Sequence, residues 1–273
     1  MKRILVPIDF SSDSINALEH AIVIANKTGA KLRMIHISKG KKLDVPLYFK
    51  DYSSKEQYSP DEFFKILVKK YNDKIKVPFD YKLREGKVYK EITNQAKYDD
   101  TDLIVMGSHG VGGFEAFWIG SNAYKVVSNA ECNVMTIRNG FLRIGINNIV
   151  MPIDISKETR KKVDATMKIA ELCNATIHVV TVRETDRPKV IARLEQYSQQ
   201  VCEYLDAKGL NYVKSDLYGK NITDITINYA NEINAELISI MTEQVENTSN
   251  LWLGKYAQQM VNNSPVPVLC VHN

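Results

Sequence analysis

One octapeptide constrains the chain more than any other feature, because it occurs twice. Ile4-Leu5-Val6-Pro7-Ile8-Asp9-Phe10-Ser11 returns as Ile149-Val150-Met151-Pro152-Ile153-Asp154-Ile155-Ser156, an offset of 145 residues. Each copy is followed by a helical stretch and then by a β-type run, at 30–37 in the first and 175–182 in the second. The copies also end alike, at an offset of 134: Ile119-Gly120-Ser121 stands against Leu253-Gly254-Lys255, and 132–137 against 266–271. A repeat of this length is one domain used twice. The 273 residues suit two such domains, 1–140 and 141–273. The offsets differ by 11 residues, which assigns about that much extra chain to the first copy. The polar stretch 38–60, with Pro46 and Pro60, is the place for it and reads as a long loop. The join at 139–145 is short and fairly apolar, so the two domains are expected to pack against each other.

Within each copy strands and helices alternate. The first reads strands at 2–8, 31–37, 79–84, 102–107 and 133–138, with helices at 13–28, 60–75, 87–99 and 118–129. The second reads strands at 147–153, 175–182, 211–217, 236–241 and 266–271, with helices at 157–173, 188–207, 220–234 and 251–262. Ile15, Leu18, Ala21, Ile22 and Ala25 recur at the helical period, with Ser12 as N-cap and Gly29 as terminator. The runs 4–8 and 103–106 are apolar throughout, which suits parallel strands covered on both faces. The expected fold is therefore α/β: two tandem doubly wound, five-stranded parallel-sheet domains.

Composition excludes several classes. Apolar runs such as 266–271 are far too short to span a bilayer. The first apolar run ends at Asp9, too early for a secretory leader, so a cytoplasmic protein is expected. Cys132, Cys173, Cys202 and Cys270 show no metal or redox spacing and read as reduced thiols in packed elements. Of the net charge of +4, the first 140 residues supply 22 basic against 17 acidic groups. That modest excess suits an anionic ligand. It does not amount to a nucleic-acid patch.

The sharpest local signal is Met106-Gly107-Ser108-His109-Gly110-Val111-Gly112-Gly113, followed by Ile119-Gly120-Ser121-Asn122. It leaves a buried strand and enters a helix. Glycines there allow close backbone approach, and the helix start offers N–H groups and a positive dipole end. No Gly-Lys-Ser/Thr follows, and the loop comes after the fourth strand, so it is neither a P-loop nor the dinucleotide fingerprint. A glycine-rich αβ turn without a ligand remains an open reading. Asp9 closes the first strand and either accepts a hydrogen bond from a base or sugar, or fixes the turn with Ser11 and Ser12. His109 either donates to a phosphate or faces solvent. His20 and His36 read as structural.

With these residues in place the chain resembles a tandem universal stress protein of the UspA-like family. The family's ATP-binding members show Gly-x-x-Gly, nine residues, then Gly-Ser/Thr. Gly107-Ser108-His109-Gly110, the nine residues 111–119 and Gly120-Ser121 match that pattern in full. The resemblance implies an adenine nucleotide alpha hydrolase-like, Rossmann-like fold in both copies. It implies that Asp9 contacts the adenosine and that Ile37 packs on the adenine. The nucleotide-binding positions it implies are Pro7, Asp9, Ile37, Met106, Gly107, His109, Gly110, Gly120, Ser121 and Asn122, with no catalytic and no metal-ligating residue assigned. The cofactor implied is ATP, with or without Mg²⁺, used as a regulatory signal. Slow ATP hydrolysis and a non-catalytic interaction module are the alternatives. The strand at 133–137 resembles the family's dimer-forming edge, so an internal pseudo-dimer of the two copies is expected, with or without a further homodimer. The second copy keeps Asp154 and Gly254. It carries Met241-Thr242-Glu243-Gln244 in place of the first glycines and Lys255 in place of the serine, so its own site is expected to be degenerate.

Overall fold

The computed structural model describes residues 1–38, 59–108, 119–138, 140–156, 158–242, 244–245 and 252–272. The loop expected at 38–60 therefore lies almost wholly outside the described residues. The chain divides into two compact units, Met1–Leu142 and Arg143–Asn273.

The first unit runs β1 (Arg3–Pro7), α1 (Ser12–Thr28), β2 (Lys31–Ser38), α2 (Pro60–Tyr71), β3 (Phe79–Glu85), α3 (Val88–Tyr98), β4 (Leu103–Gly107), α4 (Ser121–Asn129) and β5 (Asn133–Ile137). Its strands lie in the order β3-β2-β1-β4-β5 and all pair in parallel. The order therefore reverses between β1 and β4, where Ile4 is in register with Leu103 and Leu5 with Ile104. Ile4, Leu5, Val6, Ile104 and Val105 are wholly buried, as their unbroken apolar runs require of central strands.

Local chemistry sets the helix ends. The N-cap of α1 is Ser11, not Ser12: its side chain accepts from the Ser14 amide at 3.2 Å. Gly29 ends that helix at φ +70°, a conformation that needs no Cβ. The apolar stripe Ile15, Leu18, Ala21, Ile22 and Ala25 is buried, as its period predicts. Ser59 and Glu62 close a capping box on α2, with Pro60 in the first turn. Asp99, after α3 and with its side chain 3% exposed, binds Arg3 at 2.8 Å and Arg33 at 2.6 Å and receives the Gln95 amide at 2.8 Å. Burial alone would raise this carboxyl; the Gln95 hydrogen bond and the guanidinium of Arg33 outweigh it and hold the pKa below the usual carboxylate range.

The second unit repeats the plan with β6 (Asn148–Ile153), α5 (Val163–Cys173), β7 (Thr176–Arg183), α6 (Pro188–Ala207), β8 (Tyr212–Tyr218), α7 (Ile222–Glu232), β9 (Leu237–Met241), β10 (Gln244–Val245), β11 (Trp252–Leu253), α8 (Lys255–Asn263) and β12 (Val268–Val271). Five of its strands pair in parallel in the order β12-β9-β6-β7-β8. The tandem, Rossmann-like α/β architecture is thus present in both halves.

Two features of this unit depart from the sequence expectation. The helix expected from 157 starts only at Val163, preceded by a 3-10 turn at Glu158–Arg160. Residues expected to be helical from 251 instead supply β11, which pairs antiparallel with β10 through Gln244 with Leu253 and Val245 with Trp252.

Candidate functional site

In an open parallel sheet the crevice lies outside the carboxyl ends of the strands, where the strand order reverses. In the first unit that point is the C-terminal end of β1 and β4. Pro7 ends β1 and Asp9 follows it; Met106 and Gly107 end β4. The sequence thus brings its two strongest signals to one place, since β1 and β4 are neighbours.

Asp9 is held by the turn it starts. Its Oδ1 accepts the Ser11 amide at 3.0 Å and the Ser11 hydroxyl at 2.5 Å. The turn-fixing reading of Asp9 is therefore satisfied in the structure, and the residue is half-buried just past the end of β1. Between Asp9 and Ser11, Phe10 takes φ +63°. The other described non-glycine residues with positive φ are one aspartate and two asparagines, types that tolerate it. For an aromatic residue the left-handed region costs about 1–2 kcal/mol. Burying the whole phenyl ring returns about 1.5–3 kcal/mol, which more than offsets it. The ring is fully buried, with centroids 5.0 Å from His36, 5.0 Å from Phe63 and 5.3 Å from Phe64.

His36 braces the same turn. Its Nδ1 donates to the Ile8 carbonyl at 2.8 Å, which fixes the tautomer because a carbonyl only accepts. Burial lowers its pKa, so it stands neutral. The next residue, Ile37, is buried near the end of β2. His20 faces the Phe141 ring at 5.7 Å and also serves packing.

Gly107 is required by packing. A Cβ at this position would lie 2.9 Å from the Cβ of Asp13 and 3.1 Å from its backbone carbonyl carbon. The glycine lets the first turn of α1 close onto β4. Past it, the Ser108 amide donates to the Ile137 carbonyl at 2.9 Å, and the Gly120 amide donates to the Ser108 carbonyl at 2.8 Å. The chain thus leaves and re-enters the top of β4 at one point. His109 and Gly110 lie between those ends, outside the described residues. Gly120 is the N-cap of α4, and no side chain caps the helix among the described residues. Ser121 is exposed and Asn122 half-buried in its first turn.

The second unit builds the same place differently. Met241, 134 residues after Gly107, has a buried side chain. The Asp154 carboxylate accepts the Ser156 amide at 2.7 Å, and the Asp154 amide donates to the Thr159 hydroxyl at 3.1 Å. The residue that sequence reasoning missed is Lys162. It is buried, and its Nζ donates to the Thr159 carbonyl at 2.7 Å and hydroxyl at 3.1 Å. Burial drives its pKa down to about 8 against the attraction of Asp154. Ala17 occupies the matching position of the first copy, so the repeat itself carries the signal: an alanine replaced by lysine on a buried face. Cys132 is an inert thiol, pushed up to about 12 by burial. Among the described residues no three His, Cys, Asp or Glu side chains cluster to hold a metal. No helix among them is long and apolar enough to cross a membrane.

Strand order and the reversal between β1 and β4, repeated between β6 and β9, define a doubly wound α/β protein. The universal stress protein family model matches residues 1–138 and again 145–272, and the chain belongs to that family. A universal stress protein of Methanocaldococcus jannaschii is 32% identical over 144 residues, covering 50% of this chain and 82% of its own. One from Bacillus subtilis is 30% identical over 147 residues, covering 50% and 98%. These relatives each match half of the chain. A universal stress protein structure from Archaeoglobus fulgidus superposes on the tandem, with a TM-score of 0.72 at 18% identity, over 99% of this chain and 98% of its own. A functionally unknown Pseudomonas aeruginosa protein does so at 0.70 and 16%, over 100% and 92%. At such identities the likeness is one of fold.

Proposed function

We propose that the first unit binds an adenine nucleotide, ATP, in the crevice above β1 and β4, and that occupancy of this site serves as a regulatory signal. The observation that carries the reading is the hydrogen bond from the Gly120 amide to the Ser108 carbonyl. It brings the start of α4, which no side chain caps among the described residues, back to the end of β4, the neighbour of β1 that Asp9 follows, and this supports the reading. Main-chain donors at a helix N-terminus suit phosphate, and a carboxylate on the opposite side suits ribose or base. In this reading Pro7, Asp9, Ile37 and Met106 face the nucleoside. Gly107, His109, Gly110, Gly120, Ser121 and Asn122 form the phosphate side, where Gly107 acts by admitting α1. Mg²⁺, when present, would accompany the phosphates.

Calorimetric titration of the whole chain with ATP, with and without Mg²⁺, tests this. One site per chain is expected, lost in Gly110→Val because a branched side chain blocks backbone approach. Absence of binding, or full binding by the folded variant, overturns the site. Hydrolysis is the second reading and needs a base beyond Asp9. Rapid multiple turnover lost in Asp9→Asn would favour it. For the second unit, Met241 and buried Lys162 favour a non-catalytic, structural role. From the repeat alone we further infer that the last strands of the two copies pair within one chain. Cysteines placed at positions 136 and 268 would crosslink within a chain if so, and only between chains if the pairing is a homodimer's.

A further inference from the structure

The turn that follows β1 is held by residues outside the glycine motif. We propose that Phe10 is a positioning residue for Asp9: its buried ring, locked between His36 on β2 and Phe63 and Phe64 on α2, fixes the turn that aims the carboxylate. The inference rests on the nucleotide-site reading for its consequence, but not for its geometry.

Three observations carry it. First, the backbone of Phe10 is in the left-handed region, where an aromatic residue stays only if its surroundings hold it there. Second, those surroundings are aromatic and close. The ring meets three others at 5.0 to 5.3 Å, and His36 ties its Nδ1 to the Ile8 carbonyl, one residue before Asp9. Asp9 is thus pinned from both sides, by the Ile8–His36 bond before it and the Phe10 ring after it. Its Oδ1 then meets the amide and hydroxyl of Ser11 across the turn. Third, the second unit keeps the aspartate and serine and lacks the device. Ile155 stands where Phe10 stands, is 45% exposed and has no positive φ, and Thr181 takes the place of His36. An aspartate followed by serine therefore does not by itself require the strained turn. The aromatic anchor is confined to the unit whose crevice keeps the glycines.

α2 consequently belongs to the site, through its packing on the Phe10 ring. Its Phe63 and Phe64 are fully or almost fully buried, and the stack of Phe64 on Tyr81, with centroids 4.5 Å apart, ties the anchor on to β3.

Two measurements on the full-length protein test the proposal. The first needs no ligand: amide hydrogen exchange at Ser11. The Asp9–Ser11 bond protects this amide, so Phe10→Leu should speed its exchange about ten-fold relative to the amides of β1. Phe63→Leu, which leaves the turn's own sequence intact, should do the same more weakly and stands in if Phe10→Leu does not fold. Unchanged Ser11 protection in a folded variant overturns the positioning role. The second is a double-mutant cycle in ATP affinity. Phe10→Leu should weaken binding about ten-fold in the native background and by less than about two-fold in the Asp9→Asn background, because the ring acts through that carboxylate. Equal losses in both backgrounds overturn it as well. If the native chain binds no ATP, the nucleotide reading falls alone, and the exchange experiment still decides the role of Phe10.

Discussion

Gly107 and Asp13 meet so closely that a Cβ on the first would lie 2.9 Å from the Cβ of the second. Real side chains essentially never approach that far, so the position admits only glycine unless α1 moves. The contact coincides with the main structural difference between the copies. Where the first has Gly107 and a helix from Ser12, the second has Met241 and a helix that starts only at Val163. Residue 163 matches residue 18 of the first copy, so the repeat has lost its first six helical positions. In the first unit α1 lies against β4; in the second the 3-10 turn Glu158–Arg160 lies against β9 instead.

Gly107→Ala should therefore act on stability before it acts on any ligand. Forcing a methyl group into a close-packed contact costs about 1–3 kcal/mol. The loss should appear as a lower denaturation midpoint and as faster amide exchange at Ser14 and Ile15. A variant with unchanged exchange in that turn would show that α1 does not need the glycine.

Much of this was legible in the sequence, and the exceptions have a common cause. Gly29 and the Ser59–Glu62 pair act on their own neighbours, so their effects could be read locally. The strands were legible because parallel central strands are apolar without interruption. The late start of α5 was not, because Lys157-Glu158-Thr159-Arg160-Lys161-Lys162 has ordinary helical composition, and the 3-10 turn in its place lies against β9, far along the chain. The cap shifted from Ser12 to Ser11 because neighbouring serines offer the same hydroxyl and the Asp9 turn selects between them. At the site, the meeting of Asp9 with the glycine strand followed from topology. The left-handed Phe10 did not, since aromatic propensity argues against that conformation.

Asp99 offers a control remote from the crevice. Asp99→Ala takes their shared partner from the guanidinium groups of Arg3 and Arg33, 24% and 14% exposed, while Arg33 keeps Asp80. Partial exposure softens the penalty of a broken buried pair to about 1–3 kcal/mol. Stability should fall while ATP affinity in the folded protein holds. A parallel loss of affinity would mean that the β1–β2 frame transmits strain to Asp9.

The buried histidines set the acid limb of stability. Burial lowers the pKa of His20, His36 and His178, and takes His272 down to about 4. The unfolded chain then binds protons at about pH 6.5 that the native state refuses. Their contribution is complete above that pH and is lost as the pH falls toward 4. Denaturation midpoints at pH 7, 6 and 5 should decline in order, and His36→Gln should flatten part of the decline. A profile level from pH 7 to 5 would contradict the neutral state of these rings.

Lys162 sets the alkaline limb, with a sign opposite to that of a surface lysine. Its folded pKa is depressed from 10.5 to about 8, so between these values the unfolded chain holds a proton that the native state has released. Stability therefore rises with pH across that window, where a solvated lysine would contribute nothing. A tenfold change in proton affinity corresponds to about 1.4 kcal/mol, which puts the gain on the order of 3 kcal/mol. Below pH 8 the native state carries a buried ammonium whose bonds, among the described residues, go to Thr159. Replacing it with an apolar chain of similar length removes that burden, so Lys162→Met should be more stable than the native protein at pH 7. The difference between the two should shrink steadily from pH 8 to 10.5. Denaturant titrations of both proteins across that range give the comparison directly, because other titrating groups are common to both. A difference that stays constant with pH would show that Lys162 remains charged throughout, held by Asp154.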